Sequence, residues 1–157
     1  MMIEVDLSEL TAWQAGIQAL SAGEVLQMAQ PHFETSIKAI NDNAKRNVRS
    51  RSGRLVGSGF TSTVVTGNAI VSESDFLARS ERGFPYPVAI EFGRRGFGPV
   101  QAKALRFEVG GKVVFTQRVG PAPAQHFHTR GLTQATPVIF REMQALETEI
   151  ARAIEAG

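Results

Sequence analysis

The sequence predicts an α+β fold: an antiparallel sheet of about four to five strands, packed against a long helix in the N-terminal half and a C-terminal helix. Three observations carry this. Two long apolar stripes of helical period lie towards the two ends of the chain. Short β-branched and aromatic runs are grouped between them. Glycine-containing two-residue turns join those runs. Strands grouped between helices pair antiparallel, whereas alternating βαβ units would give a parallel sheet.

Ile3, Val5 and Leu7 alternate with Glu4 and Asp6, the period of a short strand or extended arm. Ser8 can cap a helix over about 9–20, where Leu10, Trp13, Ile17 and Leu20 recur at helical spacing before Gly23. Val25, Ala29, Phe33, Ile37, Ile40, Ala44 and Val48 then form the longest stripe, three or four residues apart, which predicts a helix over about 24–48. Pro31 inside it implies a kink or a restart. Glu34 and Lys38 on the opposite face are an i,i+4 pair in the favourable order.

Residues 50–59 (SRSGRLVGSG) break all periodicity and read as an ordered loop. Residues 60–66 and 69–72 read as a hairpin through Gly67-Asn68, a type II′ candidate. Residues 88–92 are a third strand candidate, closed by Gly93. Residues 94–104 (RRGFGPVQAKA) form a second basic, glycine-containing loop, expected to be mobile. LRFEV and KVVFTQ around Gly110-Gly111 form the clearest hairpin, expected to join the sheet on which both long helices pack. Thr136 is the expected cap of the last helix, with Pro137 at its first position. Val138, Ile139, Met143, Leu146, Ile150 and Ile154 give that helix its apolar face.

The 157 residues amount to one domain, with 43% apolar and 20% charged residues, so a wholly disordered chain is excluded. No apolar run approaches the roughly 20 residues needed to cross a bilayer, and no basic-then-apolar leader opens the chain. No membrane partner is expected. Cysteine is absent, which removes disulfides, thiolate nucleophiles and cysteine zinc sites, and suits a reducing cytosol.

The net charge of +2 hides segregation: −5 over residues 1–37, +5 over 38–54, −2 over 55–78, +5 over 79–118 and −1 over 119–157. Thirteen of the seventeen basic residues are Arg, whose planar fork suits carboxylates and phosphates. A nucleic-acid surface is one reading. An acidic face of one protomer meeting a basic face of the next is favoured, because one Trp and one Tyr supply little stacking for bases.

The search for chemistry is mostly negative. His126 and His128 flank Phe127, and in a strand they would share a face, as in a two-imidazole metal or nuclease site. No spacing nominates a third ligand, and the preferred reading is two polar residues beside a buried Phe. There is no phosphate loop, dinucleotide fingerprint or G-x-S-x-G elbow. No catalytic residue, cofactor or metal is expected. Phe97 in the RRGFG loop suits contact with a partner.

Three patterns together are more specific than any alone. Ser52-Gly53-Arg54-Leu55-Val56-Gly57-Ser58 follows a helix that ends in basic residues. Tyr86-Pro87-Val88-Ala89-Ile90-Glu91-Phe92-Gly93 comes about thirty residues later. Ala122-Pro123-Ala124-Gln125-His126-Phe127 leads into the final amphipathic helix. Over about residues 24–155 the chain resembles the tail-completion, or head–tail joining, proteins of long-tailed bacteriophages and prophages, also called neck or minor tail proteins. Pro87 stands where the family pattern has Ala, and His128 follows Phe127 where the family often has Leu.

The resemblance implies no enzyme. It implies a structural virion assembly protein forming a homo-oligomeric ring, commonly a hexamer. The ring joins the tail tube to the capsid connector and passes genome DNA without sequence-specific binding. It would assemble in the host bacterial cytoplasm and reside in the virion neck. A tail-terminator protein and a small Arg-rich nucleic-acid-binding protein are the alternatives. Residues 24–157 would be the family core and 1–23 an extension. Gly53, Leu55, Ser58, Tyr86, Glu91, Gly93 and Phe127 are the candidate motif residues. Gly53 would turn the chain, Leu55 return to the core, Phe127 anchor the exit segment, and Glu91, if buried, take an Arg partner. Arg94, Arg95, Phe97 and Arg106 are the candidate interface.

Overall fold

The structure is a computed structural model, and it describes residues 20–49, 53–79, 83–99, 102–109 and 111–156. The strand expected at 3–7 and the helix expected over about 9–20 lie outside the described residues.

Helix α1 spans Ala22–Asn47 as one element. Its start is fixed by a capping box. Ser21 Oγ accepts from Glu24 N at 3.2 Å, and the Glu24 carboxylate accepts from Ser21 N at 2.8 Å. The helix therefore begins before Gly23 and runs through Pro31 without a restart. Glu34 accepts from Gln30 Nε2 at 2.8 Å instead of pairing with Lys38. Gly53, at φ +69°, then turns the chain into a single helical turn, α2 (Arg54–Gly57).

Strands β1 (Gly59–Thr66) and β2 (Ala69–Phe76) pair antiparallel, with Thr66 opposite Ala69. Gly67 has φ +57° and Asn68 lies outside the left-handed region, the sign pattern of a type II′ turn. The expected third strand at 88–92 is instead a short helix, α3 (Tyr86–Glu91). The cause is Pro87. Its fixed φ and missing N–H suit a first helical turn and spoil a ladder. Strands β3 (Leu105–Val109) and β4 (Lys112–Thr116) form the second hairpin, with Gly111 at φ +77°.

Helix α4 spans Phe127–Ala156, ten residues more at its start than the Thr136 cap implies. Thr136 lies inside it, its hydroxyl donating to Leu132 O at 3.2 Å, and Pro137 is also interior. Helices α1 and α4 lie antiparallel and pack along their lengths, and α1 also covers the β1–β2 hairpin. The class is α+β, but the single sheet of four to five strands is not formed: β1–β2 and β3–β4 are separate two-stranded sheets. Only α1 packs extensively on a hairpin, and it is the first one, not the 105–117 hairpin.

The hub of the core is Ala44, Leu55, Phe76 and Phe127, with Val48, Ala78 and Ile90 against it. The rings of Phe76 and Phe127 meet edge to face at 5.0 Å. Gly131 lets α4 approach α1, since a Cβ there would stand 2.7 Å from Ala44 N. A polar layer lies beside the hub. Asn41, fully buried, donates to Phe60 O and to Ser74 Oγ, each at 3.0 Å, so one amide ties both strands of the hairpin to α1. Among the described residues seven hydrophobics are buried and three of these are Ala, whereas fourteen large hydrophobics are exposed. The described residues thus close only a small core.

Candidate functional site

Two of the seven motif residues, Leu55 and Phe127, lie in the hub, and Gly53, Ser58, Glu91 and Gly93 shape the segments that deliver them. Ser58 closes α2, its hydroxyl donating to Leu55 O at 2.8 Å, and its carbonyl accepts from Leu77 N at 3.2 Å. Gly53 provides the left-handed turn that lets Leu55 reach inward. Phe127 is almost wholly enclosed.

Glu91, at the end of α3, is also buried, and its partner is not an Arg. Its Oε2 accepts from His128 N at 2.9 Å, and its Oε1 accepts from Thr129 N at 3.1 Å and from Thr129 Oγ1 at 2.6 Å. The carboxylate therefore caps α4, satisfying two backbone donors that a helix start leaves open and placing negative charge at the positive end of the dipole. Burial pushes the carboxyl up. The Thr129 hydroxyl, the His128 and Thr129 N–H groups and the nearby His128 ring outweigh it, so the group is held below the usual carboxylate range.

The backbone around Glu91 binds the same segment. Ile90 O and Glu91 O accept from Gln125 N at 2.8 Å and His126 N at 3.1 Å. His126 takes a left-handed φ of +49° to deliver Phe127 into the hub. Gly93, at φ +76°, lies so close to the exit segment that a Cβ would be 2.8 Å from Ala122 O and from Ala124 N. The E-x-G and P-A-x-x-F patterns, about thirty residues apart, are two halves of one clamp. Tyr86 differs from the rest: it lies on the surface, its N–H donating to Ala78 O at 3.1 Å.

The clamp continues into the basic loop. Arg94 and Ala122 exchange both backbone hydrogen bonds at 2.9 and 3.0 Å, and Phe97 and Val119 do so at 2.9 and 2.8 Å. Arg94 Nη1 donates to Gly120 O at 3.1 Å, and its guanidinium lies 5.1 Å from the Phe97 ring centroid. Residues 94–97 are thus a ladder on the exit segment, not the free loop their composition suggests. Glycine here serves close packing: a Cβ at Gly96 would be 2.8 Å from Val119 O. Arg95 and Phe97 face outward, and exposed Arg106 stands on β3 opposite Phe115.

Next to the clamp is a cleft of about 250 Å³. Phe76 and Phe127 line its base, Val88 and Phe92 are its exposed apolar walls, and Asp75 lies on its lining. His128 lines it too, with Nε2 3.4 Å from Ser74 Oγ. The strand face that would align His126 with His128 does not exist, because His128 already lies in the first turn of α4. Among the described residues no three His, Asp or Glu side chains converge to hold a metal ion. A separate cluster was not legible in the sequence. His32 of α1 meets Glu142 at 3.0 Å through Nδ1 and Glu149 at 3.2 Å through Nε2.

No family model, curated protein or solved structure matches the chain. No described helix is long and apolar enough to cross a membrane.

Proposed function

We propose that this chain is a structural assembly subunit of a phage or prophage neck, one of a homo-oligomeric ring that joins tail tube to capsid connector and lets DNA pass. One observation supports it above others: the described residues leave twice as many large hydrophobics exposed as they bury hydrophobics of any size, a surface that neighbouring subunits would cover. The charge segregation along the sequence suits a cyclic, head-to-tail contact, since acidic and basic segments differ. Its role is docking, with no catalysis and no cofactor, and the family resemblance implies assembly in the host cytoplasm and residence in the virion neck afterwards.

The experiment is charge reversal at Arg95 and Arg106 in the phage or prophage that encodes the chain. Arg94 is a poor probe, because it holds the ladder together through Gly120. Both chosen residues are exposed, so reversal should leave the melting temperature almost unchanged. Filled heads and finished tails should accumulate unjoined. Particles at normal titre would refute the proposal. Steep salt-dependent duplex binding by the isolated chain would favour the nucleic-acid alternative instead.

A further inference from the structure

Among the described residues no helix or other strand packs extensively on the β3–β4 hairpin. It belongs to neither the first sheet nor the helix pair. Val113 and Phe115 share one face with Arg106 and Glu108, and exposed Val114 lies on the other. Isolated two-stranded hairpins are marginal in water, and open edges carrying apolar residues invite another chain. The cleft beside α3 has the opposite character. Its base is aromatic and its walls are apolar. Its lining includes Asp75, with Glu73 two positions back on the same face of β2.

We propose that the β3–β4 hairpin of one copy docks in the α3 cleft of a second copy, with Phe115 against Val88 and Phe92 and Arg106 towards Asp75. Charge complementarity selects a second copy. Residues 103–118 carry +3, and residues 55–78, which bring Asp75 to the cleft, carry −2 with no basic residue. Within one chain the two surfaces do not meet, since Phe115 is 66% and Phe92 70% exposed. Other exposed rings fit less well. Phe97 already packs with the Arg94 guanidinium of its own chain, and Phe140 stands on helix α4, not on an open strand edge. Hairpin and cleft are different patches, so the contact is head-to-tail and every copy both gives and receives. This deepens the assembly reading by naming one contact, and its test needs no phage.

The chain has no cysteine, so introduced thiols are the only ones present. Full-length Phe115→Cys and Val88→Cys chains are mixed under mild oxidation. Both positions are exposed, and circular dichroism checks that each variant folds. The expected result is a mixed disulfide several-fold above its statistical share. Arg106→Glu in the first chain should suppress it, and Asp75→Lys in the second should restore it. A statistical mixture of disulfides would overturn the proposal. So would a double-cysteine chain that closes on itself as a monomer. Hairpin amides protected from exchange in a dilute monomer, and exposed by deleting residues 1–19, would assign the hairpin to the chain's own N-terminal segment and overturn it as well.

Discussion

Replacing Glu91 with Ala removes the cap of the longest helix and leaves its neighbours in place. Three hydrogen bonds to a charged acceptor disappear, two of them from the N–H groups of His128 and Thr129. Loss of an N-terminal cap costs about 1 kcal/mol, up to about 2. The lost charge at the helix end adds about 0.3–1 kcal/mol. Leaving a part-buried donor unsatisfied costs about 1–3 kcal/mol more, at the low end here because the space vacated admits water. The sum is about 3 kcal/mol, which for a chain of this size lowers the melting temperature by about 6–12 °C. Thermal unfolding followed by circular dichroism at neutral pH measures it.

Acidity gives the control. The folded carboxyl titrates below the ordinary glutamate value of 4.5, so the unfolded chain takes up the proton first as pH falls. The stability difference between wild type and Glu91→Ala should be complete above the unfolded value. It should shrink as pH falls towards the folded one. Glu91→Gln should behave, at neutral pH, much as the protonated wild type. A melting temperature within about 2 °C of wild type, or a difference independent of pH below 5, would refute the capping account.

Three further outcomes are expected. Gly93→Ala should destabilise clearly more than Gly67→Ala: both positions have positive φ, but only at Gly93 would the Cβ meet backbone, a contrast that chemical denaturation can read. His32 should titrate above 6.5 by nuclear magnetic resonance, since the Glu142 hydrogen bond raises it against burial, with Glu149 assisting; its contribution to stability is present below 6.5 and lost as pH rises through the folded value, and Glu142→Gln should bring the titration down. Gly131→Leu should force α4 off Ala44 and cost about 1–3 kcal/mol or more, measured as a lowered unfolding midpoint.

What the sequence made legible was local. The 24–48 stripe, the Gly67-Asn68 turn and the 105–117 hairpin each carry their signal within a few residues, and each forms. The errors came where a distant group decides. Helix α4 starts at Phe127 because Glu91, thirty-six positions earlier, supplies its cap, so Thr136-Pro137 looked like the only start available. The apolar run at 88–92 suits a strand or a buried helical turn equally, and Pro87 decides. Sheet membership of the second hairpin depends on partners that no local pattern encodes. The same holds for the site. Glu91, Gly93 and Phe127 were singled out, but their joining into one clamp was not, and the 94–97 ladder was hidden by a composition typical of loose loops.

The crossing of α1 and α4 has a mechanical consequence. Near one end Ala44 abuts Gly131 and Asn47 Nδ2 donates to Gln134 at 2.9 Å; nearer the other, His32 grips Glu142 and Glu149. Two rods fastened at two separated points resist both sliding and splaying, so the pair behaves as a spar. The ribbons differ in stiffness. The first is bolted to the spar through Asn41 and Phe76, while the second hangs from the Arg94–Ala122 ladder. A load on the second ribbon reaches the spar through that ladder and the Glu91 clamp at the foot of α4. Stiffness and compliance are thus divided between parts of one short chain: the ribbon can adjust to whatever it touches while the spar keeps its shape.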